Sequence, residues 1–314
     1  MLVIILISRI IIAAATKYDD LPPKQDKMTI LSNELNIHDE HELVNYARNL
    51  RGEYNDPVTF IAYWNGNLNR KHLYSIKSCY YFNILHKTNR KIILWLENNV
   101  PNEYNQEISK YAEIEKLNFH EEVNGTFMQD IKRFMKNQGL SYYADIVRSV
   151  LLYNYGGCWF DLDVYFLRSF DPLFAEYKDH IILYQWKQSN HPNNAIYISL
   201  QPKNKDFEYI IKYVMRRNKG FGFAEAKLHF NLPLPILVLP CPWFDASWKP
   251  HPTISFSDFF EGTTEQYTFD NFFPGSFCYH WHNQWNKIIS NDSIFEQLNK
   301  IIDEDLKSWS VMDR

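Results

Sequence analysis

The segment 141–164 constrains the fold more than any other, because it specifies a helix, a glycine turn, a short strand and two aspartates in immediate succession. Ser141 is a favourable N-cap residue, and the apolar residues after it recur at helical spacing. The helix is expected to end at Gly156-Gly157, since glycine readily adopts the conformations that follow helix C-termini. A short aromatic strand then leads into Asp161 and Asp163. Residues two apart on an extended strand point to the same side, so both carboxylates can face one ligand.

The two carboxylates predict a cation site. Clustered carboxylates repel each other unless a cation joins them, and Mg²⁺ or Mn²⁺ takes oxygen ligands and bridges to phosphates. Asp145 and Arg148 lie three residues apart on the preceding helix and therefore share one face. That face can present a carboxylate to a ribose hydroxyl and a guanidinium to a phosphate or sugar oxygen. An Asp-x-Asp pair alone is usually a solvated turn, and Asp-x-x-Arg alone is usually a surface ion pair, but their combination is much rarer.

Strands and helices alternate along the rest of the chain. Val58–Trp64 has the composition of a strand, and the Asn-Gly-Asn after it ends the strand with turn chemistry. A helix is expected around 73–85, and the apolar run Lys91–Leu96 predicts a strand buried on both faces, as parallel strands are. Helical spacing over Ser293–Trp309 predicts a final helix. This alternation predicts an α/β fold.

Composition and charge exclude some classes of partner. The chain has 314 residues, 46% of them hydrophobic, which suffices for one large domain with appendages. A net charge of −4 provides no basic surface for nucleic acid, whereas a nucleotide-sugar needs only a local cationic pocket. The four widely spaced cysteines match no metal-binding pattern and imply no disulfide framework.

The apolar N-terminal segment 1–16 leaves localisation open. Its first fifteen residues are apolar except for Ser8 and Arg9, and they are fewer than the ~20 that a spanning helix needs. Arg9 costs roughly 2.5–3.5 kcal/mol in the middle of such a segment, and no Lys or Arg precedes the apolar run as in a signal peptide. A signal peptide, a peripheral or N-terminal membrane anchor and an element packed on the domain all remain open. The protein is accordingly expected either in the cytoplasm or in the membrane-associated and secretory compartments. Residues 17–27 are polar and predict a linker.

The block from Asp145 to Asp163 resembles that of the glycosyltransferases whose sugar-binding region contains a DXD motif. That family includes the yeast mannosyltransferase that initiates outer chains, α-1,4-galactosyltransferases and bacterial capsular transferases, with the clostridial glucosylating toxins as distant relatives. The resemblance implies an α/β GT-A nucleotide-diphospho-sugar transferase sandwich, with a mixed, mainly parallel central sheet and helical N- and C-terminal additions. We therefore expect a linker and helical region over 17–57, the transferase domain over 58–290 and a C-terminal helix over 291–314.

Other segments resemble the family in the expected order. The strand 58–64 resembles the family's first strand, in which the ring corresponding to Trp64 lies near the nucleotide base. Pro192–Ala195 is similar to the segment beside the donor sugar, which assigns Asn194 to the donor site. Trp243–Trp248 resembles the aromatic segment that follows a late strand.

The segment Tyr279–Trp285 resembles the family's C-terminal closure. In relatives, the residues matching His280 and Asn283 complete the metal and diphosphate site, and a tryptophan matching Trp285 covers the donor. The aromatic residue before the DXD motif is often Tyr in the family, and Trp159 or Phe160 takes that place here; we also assign Trp159 to the donor site. The resemblance predicts that the closure lies over the aspartates and is mobile without donor.

The resemblance implies a metal-dependent hexosyltransferase that retains anomeric configuration. Asp161 is expected to face the ribose and the donor sugar, and Asp163 to be the more direct ligand of Mn²⁺ or Mg²⁺. The implied catalytic residues are Asp145, Arg148, Asp161 and Asp163, and the implied metal ligands are Asp161, Asp163, His280 and Asn283. The donor is expected to be a UDP- or GDP-sugar and the acceptor a glycan, a glycolipid or a protein.

Two other functions are compatible with parts of the pattern. The run from Phe160 to Val164 also fits the haloacid-dehalogenase type of phosphatase, in which an aspartate corresponding to Asp161 is the nucleophile. That family usually carries the motif on its first core strand, whereas here it follows a long helix and two glycines. A non-catalytic carbohydrate-binding protein is the second alternative, but recognition of sugar alone needs no diphosphate-binding metal.

Overall fold

The computed structural model describes residues 29–134, 139–186, 192–217, 236–247 and 258–312. The predicted N-terminal segment 1–16 and linker 17–27 lie outside the described residues, and so does Trp248 at the end of the predicted aromatic segment.

The described chain alternates strands and helices as the sequence predicts. The strands are β1 (Thr29–Ile30), β2 (Val58–Asn65), β3 (Arg90–Glu97), β4 (Glu113–Lys116), β5 (Gly157–Phe160), β6 (Val164–Phe166), β7 (Ile181–Gln185), β8 (Asn193–Ser199), β9 (Ile236–Pro240) and β10 (Cys278–His280). The helices are α1 (Leu31–Glu34), α2 (Glu40–Asn49), α3 (Arg70–Asn83), α4 (Glu103–Ile108), α5 (Phe119–Val123), α6 (Leu140–Tyr155), α7 (Asp171–Tyr177), α8 (Lys205–Arg217) and α9 (Ile294–Met312). Short 3₁₀ turns occur at Gln129–Phe134, Cys241–Trp243 and Asp258–Phe260.

Eight strands form one mixed sheet in the order β1-β9-β7-β8-β5-β2-β3-β4. All neighbouring pairs are parallel except those of β8, which runs antiparallel to both β7 and β5. A separate two-stranded sheet pairs β10 with β6 in antiparallel register, with His280 opposite Val164. The predicted mixed, mainly parallel α/β sheet is confirmed.

Helices cover both faces of the large sheet. Alternate residues of β2 show the division, since Phe60 and Ala62 face a core shared with α3 and α9, whereas Ile61 and Tyr63 face a core shared with α6 and α8. This alternation is the ordinary consequence of the two-residue period of a strand. The strands that bear site residues are therefore fixed from both sides.

The helix before the DXD motif begins earlier than predicted and ends at the predicted glycines. α6 begins at Leu140 with Gly139 as its N-cap residue, so the prediction of Ser141 as N-cap was wrong, and Ser141 lies in the first turn. At the other end Gly157 has φ +108°, and a Cβ there would lie 2.0 Å from the carbonyl oxygen of Thr59. β5 thus approaches β2 more closely than any residue with a side chain allows.

Within the described ranges, no helix is both long enough and apolar enough to cross a bilayer.

Candidate active site

A cavity of about 410 Å³ gathers the residues that the sequence assigned to the site. It lies where β2 and β5 end and where β8, which runs the opposite way, begins. The predicted site residues that line it are Trp64, Asp145, Arg148, Trp159, Asp161, Asp163, Asn194, His280, Asn283 and Trp285. The C-terminal edge of an α/β sheet is the usual position of a ligand site, and the reversed β8 brings its own first residues to the same edge.

Asp161 is held in place by two donors on one oxygen. Its Oδ1 accepts hydrogen bonds from Nη2 of Arg148 and from Nε1 of Trp159, each at 2.7 Å. Its backbone N–H donates to the carbonyl of Ala195 on β8. Burial, opposed by Arg148 and aided by nearby Asp163, raises the pKa of Asp161 to about 6. A cation beside Asp161 would relieve this cost of ionisation.

Asp163 is buried and joins the middle of the chain to its C-terminal part. Its Oδ2 accepts from the backbone N–H of Asn283 at 2.8 Å and lies 3.1 Å from Nε2 of His280. Its own carbonyl accepts from the N–H of Trp281. Burial acts to raise the pKa of Asp163, but the His280 imidazole and the Asn283 amide outweigh it and hold the pKa below its usual value.

His280 carries the complementary shift. Burial acts to lower its pKa, but the adjacent Asp163 carboxylate prevails and raises it to about 9. On the other side of the ring, Nδ1 lies 3.2 Å from the hydroxyl of Tyr184 and 3.8 Å from Asp245. His280 is therefore an imidazolium paired with a carboxylate in the metal-free protein at neutral pH, and a cation would have to displace its proton.

Asp145 and Arg148 meet as their spacing predicts. Nη1 of Arg148 lies 3.4 Å from the Asp145 carboxylate and donates to the carbonyl of Asn194 at 2.8 Å. The side-chain amide of Asn194 donates to Asp145 at 3.2 Å. Burial raises the pKa of Asp145, against the opposing effect of Arg148. The guanidinium thus links α6, the DXD loop and β8.

The aromatic side of the cavity is a cluster of three rings. Trp64 lies 4.3 Å from the buried ring of His72 and 4.8 Å from Trp285, centre to centre. Trp285 stacks on His72 at 4.5 Å and 16°, and its indole N–H donates to the side chain of Asn283. Trp64 and Trp285 remain partly exposed at the cavity, so each can offer ring surface to a ligand. Trp159 differs, because it is almost fully buried and contacts the site through its hydrogen bond to Asp161 and through the Arg148 guanidinium, which lies 5.1 Å from its ring centre.

Three site residues were missed by the sequence analysis. Asp245 is 1% exposed and accepts from Nε1 of Trp186 at 2.7 Å. Nε2 of His282 lies 2.9 Å from the same carboxylate, and the rings of His280 and His282 stack at 4.1 Å. Trp186 and His282 also line the cavity. Asp245 sits in an aromatic segment whose sequence gave no sign that its carboxylate lies behind the histidines.

These residues fit a divalent cation by the chemistry of their donor atoms. Asp161 and Asp163 supply carboxylate oxygens and His280 supplies one imidazole nitrogen, a mixture that suits Mn²⁺ better than the all-oxygen preference of Mg²⁺. Among the described residues, none donates a hydrogen bond to Oδ2 of Asp161 or to Oδ1 of Asp163. Asp245 with His280 and His282 also places three potential ligand atoms within 4.8 Å of one another. Because His282 and Asp245 contact each other, we interpret these residues as a group that holds His280 in place from behind.

Residues 70–179 match the family model described as "Glycosyltransferase sugar-binding region containing DXD motif". The match runs from α3 to the end of α7 and includes both aspartates of the motif. It confirms the predicted resemblance to this family and the predicted enzyme class. A search of curated proteins finds no match.

Solved glycosyltransferase structures resemble the chain at low identity. The glycosyltransferase GlyE of Streptococcus pneumoniae TIGR4 is 12% identical over 80% of this chain and 60% of its own, with a TM-score of 0.43. Mouse xyloside xylosyltransferase 1 in its apo form is 12% identical over 74% of this chain and 100% of its own, also with a TM-score of 0.43. An active-site mutant of LgtC is 10% identical over 72% of this chain and 90% of its own, with a TM-score of 0.42.

Proposed function

We propose that this glycosyltransferase is metal-dependent and moves a hexose from a UDP- or GDP-sugar to a glycan, glycolipid or protein acceptor, with retention of anomeric configuration. The observation that carries the proposal is the meeting of two distant parts of the chain in one cavity. Asp161 and Asp163 come from the middle of the sequence, and His280 and Asn283 come from near its end. The cavity thus holds oxygen and nitrogen ligands for a cation, together with hydrogen-bond donors for a diphosphate. They lie beside the aromatic surface of Trp64.

The chain's own residues would position the donor. Trp64 offers ring surface for the nucleotide base, and base–aromatic stacking of this kind contributes about 1–3 kcal/mol. Arg148 stays fixed by Asp161 and by the carbonyl of Asn194, so its charge costs no reorganisation when the donor arrives. Asp145 and Asn194 face the cavity together and can accept from and donate to sugar or ribose hydroxyls. Holding the donor in one orientation lowers the barrier by making attack effectively unimolecular.

Breakage of the bond between sugar and diphosphate develops negative charge on the leaving nucleotide. Asp161, Asp163 and His280, with Asn283 as a further oxygen donor, would hold a cation that would neutralise that charge as a Lewis acid. Trp285 covers the same region. It would exclude water and so protect the bound donor from hydrolysis. We assign no protein nucleophile at the anomeric carbon.

The test is a screen of UDP- and GDP-sugars for Mn²⁺-dependent hydrolysis and for a rise in melting temperature. We expect one donor to give both signals, and we expect a chelator to abolish them. Asp163→Asn should lose both signals, whereas Asp270→Asn serves as the control, because Asp270 is exposed and outside the cavity.

The two alternatives give different outcomes. A carbohydrate-binding protein would bind free sugars without metal and would hydrolyse no nucleotide-sugar. A phosphatase with Asp161 as nucleophile would release phosphate from simple phosphomonoesters, and Asp161→Asn would abolish that release. Absence of nucleotide-sugar binding across the whole screen would refute the proposed function.

A further inference from the structure

The first turn of α3 holds the chain that follows His280. The ammonium of Lys71 donates to the backbone carbonyls of Gln284, of Trp285 at 3.2 Å and of Lys287 at 2.7 Å. It also lies 3.8 Å from the centre of the Phe260 ring. An ammonium has three protons to donate, so these three carbonyls satisfy it completely. Lys71 is 3% exposed, and none of its described contacts is with a carboxylate.

His72 adds a second contact to the same stretch of chain. Its Nδ1 accepts from the backbone N–H of Asn69 at 2.9 Å, while the side chain of Asn69 accepts from the N–H of His72, so the pair forms a capping box. The imidazole is thereby fixed in orientation, and its face stacks on Trp285. His72 is fully buried by this arrangement.

The stretch held in this way, residues 281–287, is called here the closing segment. It contains no helix or strand. His282 and Asn283 both have positive φ, at 49° and 59°, a region that residues other than glycine occupy only when their surroundings hold them there. The carbonyls that bind Lys71 lie directly after this strained pair. Backbone hydrogen bonds within the closing segment, such as that from Trp285 N–H to the carbonyl of Asn283, are thus supplemented by the contacts from Lys71.

That shape matters because it sets the geometry at Asp163. The N–H groups of Trp281 and Asn283 donate to the carbonyl and the carboxylate of Asp163, respectively. The side chain of Asn283 in turn receives the indole N–H of Trp285, which rests on His72. A shift of the closing segment would thus move the donors around the predicted metal ligand.

We propose that Lys71 and His72 are positioning residues that keep the closing segment in its site-forming conformation before any donor binds. The functional part of this inference rests on the proposed function, but the structural part is measured separately. The sequence predicted a lid that is mobile without donor. We propose instead that the closing segment is already ordered, so that donor binding does not have to order it.

The test is hydrogen exchange of the full chain without donor or metal, comparing wild type, Lys71→Met and Lys77→Met. Methionine keeps the length of the side chain and removes the ammonium. Lys77 is the matched control, because it is also a buried lysine of α3, but its ammonium pairs with Asp303 of α9. We expect Lys71→Met to speed exchange in the closing segment at least about tenfold, the effect of losing hydrogen bonds to a charged group. Exchange in β2 should stay unchanged, and Lys77→Met should leave the closing segment as in wild type.

A second variant keeps the inference testable if Lys71→Met does not fold. His72→Asn retains a side chain that can accept from the N–H of Asn69, but it removes the ring under Trp285. It should also speed exchange in the closing segment. Unchanged exchange there in a folded Lys71→Met or His72→Asn protein would overturn the proposal, as would an equal increase in Lys77→Met.

Donor kinetics then separate positioning from bulk stability. Lys71→Met should raise the KM for the nucleotide-sugar and the Mn²⁺ concentration required by about tenfold, with a smaller fall in kcat. A fall in kcat alone would contradict the positioning role. If wild type binds no nucleotide-sugar, the proposed function fails, whereas the exchange comparison still decides whether Lys71 and His72 order the closing segment.

Discussion

Replacement of Asp163 by asparagine is expected to change both activity and stability, and the change in stability should depend on pH in a defined way. Asp163 and His280 form a buried pair. Burial acts to lower the pKa of the imidazole, but the Asp163 carboxylate, with smaller contributions from Asp245 and Asp161, raises it from 6.5 to about 9. That rise corresponds to roughly 3 kcal/mol of stabilisation of the folded, metal-free protein, at 1.36 kcal/mol per pKa unit. Asparagine has nearly the same shape but no charge, so this stabilisation should be lost.

The sign follows from the direction of the His280 shift. A pKa raised by folding stabilises the protein fully below the unfolded value of 6.5, and the stabilisation disappears as pH rises through about 9. The difference in unfolding free energy between wild type and Asp163→Asn should therefore be about 3 kcal/mol near pH 6.5 and should approach zero by about pH 10. Because the folded pKa of Asp163 is lowered, the difference should also shrink in strong acid, as that carboxylate takes up its proton.

The assay is urea unfolding of both proteins at several pH values in the presence of a chelator, followed by transfer measurements with Mn²⁺. Transfer should be abolished at a pH and temperature where the variant remains folded. A constant stability difference from pH 6.5 to 10 would refute the ion pair as its source. Near-normal turnover in folded Asp163→Asn would refute the assignment of Asp163 to the metal.

Three further predictions concern the rest of the site. Trp64→Ala should weaken donor binding by roughly 1–3 kcal/mol in a titration if the ring stacks on the base; a collapsed melting temperature at saturating donor would instead show that Trp64 is needed mainly for the core. Asp245→Asn should weaken Mn²⁺ binding about 10- to 100-fold, because Asp245 lies behind His280 and His282; unchanged affinity by calorimetry would exclude that support. Binding of Mn²⁺ at pH 7 should release about one proton, since His280 with a pKa of about 9 must lose its proton to become a ligand; equal binding enthalpies in buffers of different ionisation enthalpy would show that no proton leaves.

Local patterns in the sequence predicted the parts of the site that depend on local geometry. The spacing of Asp145 and Arg148 on α6 brought them together as expected, and Asp161 and Asp163 follow a strand as their flanking residues indicated. The order β2, α3, β3 was also predicted correctly, because the spacing of apolar residues differs clearly between the strand and helix segments.

The contacts that depend on tertiary packing could not be predicted from the sequence. Asp245 is a single acid among aromatic residues, and only the packing of its segment against β10 places it behind His280. Lys71 and His72 look like ordinary polar residues at a helix start, and both are buried because the closing segment crosses that start. The antiparallel direction of β8 was likewise not encoded in its own residues, since an apolar strand reads the same in either orientation.

The close approach of Gly157 to Thr59 has a consequence for mutational scanning. A side chain at residue 157 would meet the Thr59 carbonyl at 2.0 Å, so every substitution should push β5 away from β2. Asp161 lies four residues further along the same run of chain. A library selected for sugar transfer should therefore deplete variants of Gly157 as strongly as variants of Asp163, although the glycine touches no ligand. A parallel measurement of protein abundance should tell the two positions apart, because Gly157 variants lose activity only through failure to fold, whereas Asp163 variants that do remain folded are inactive.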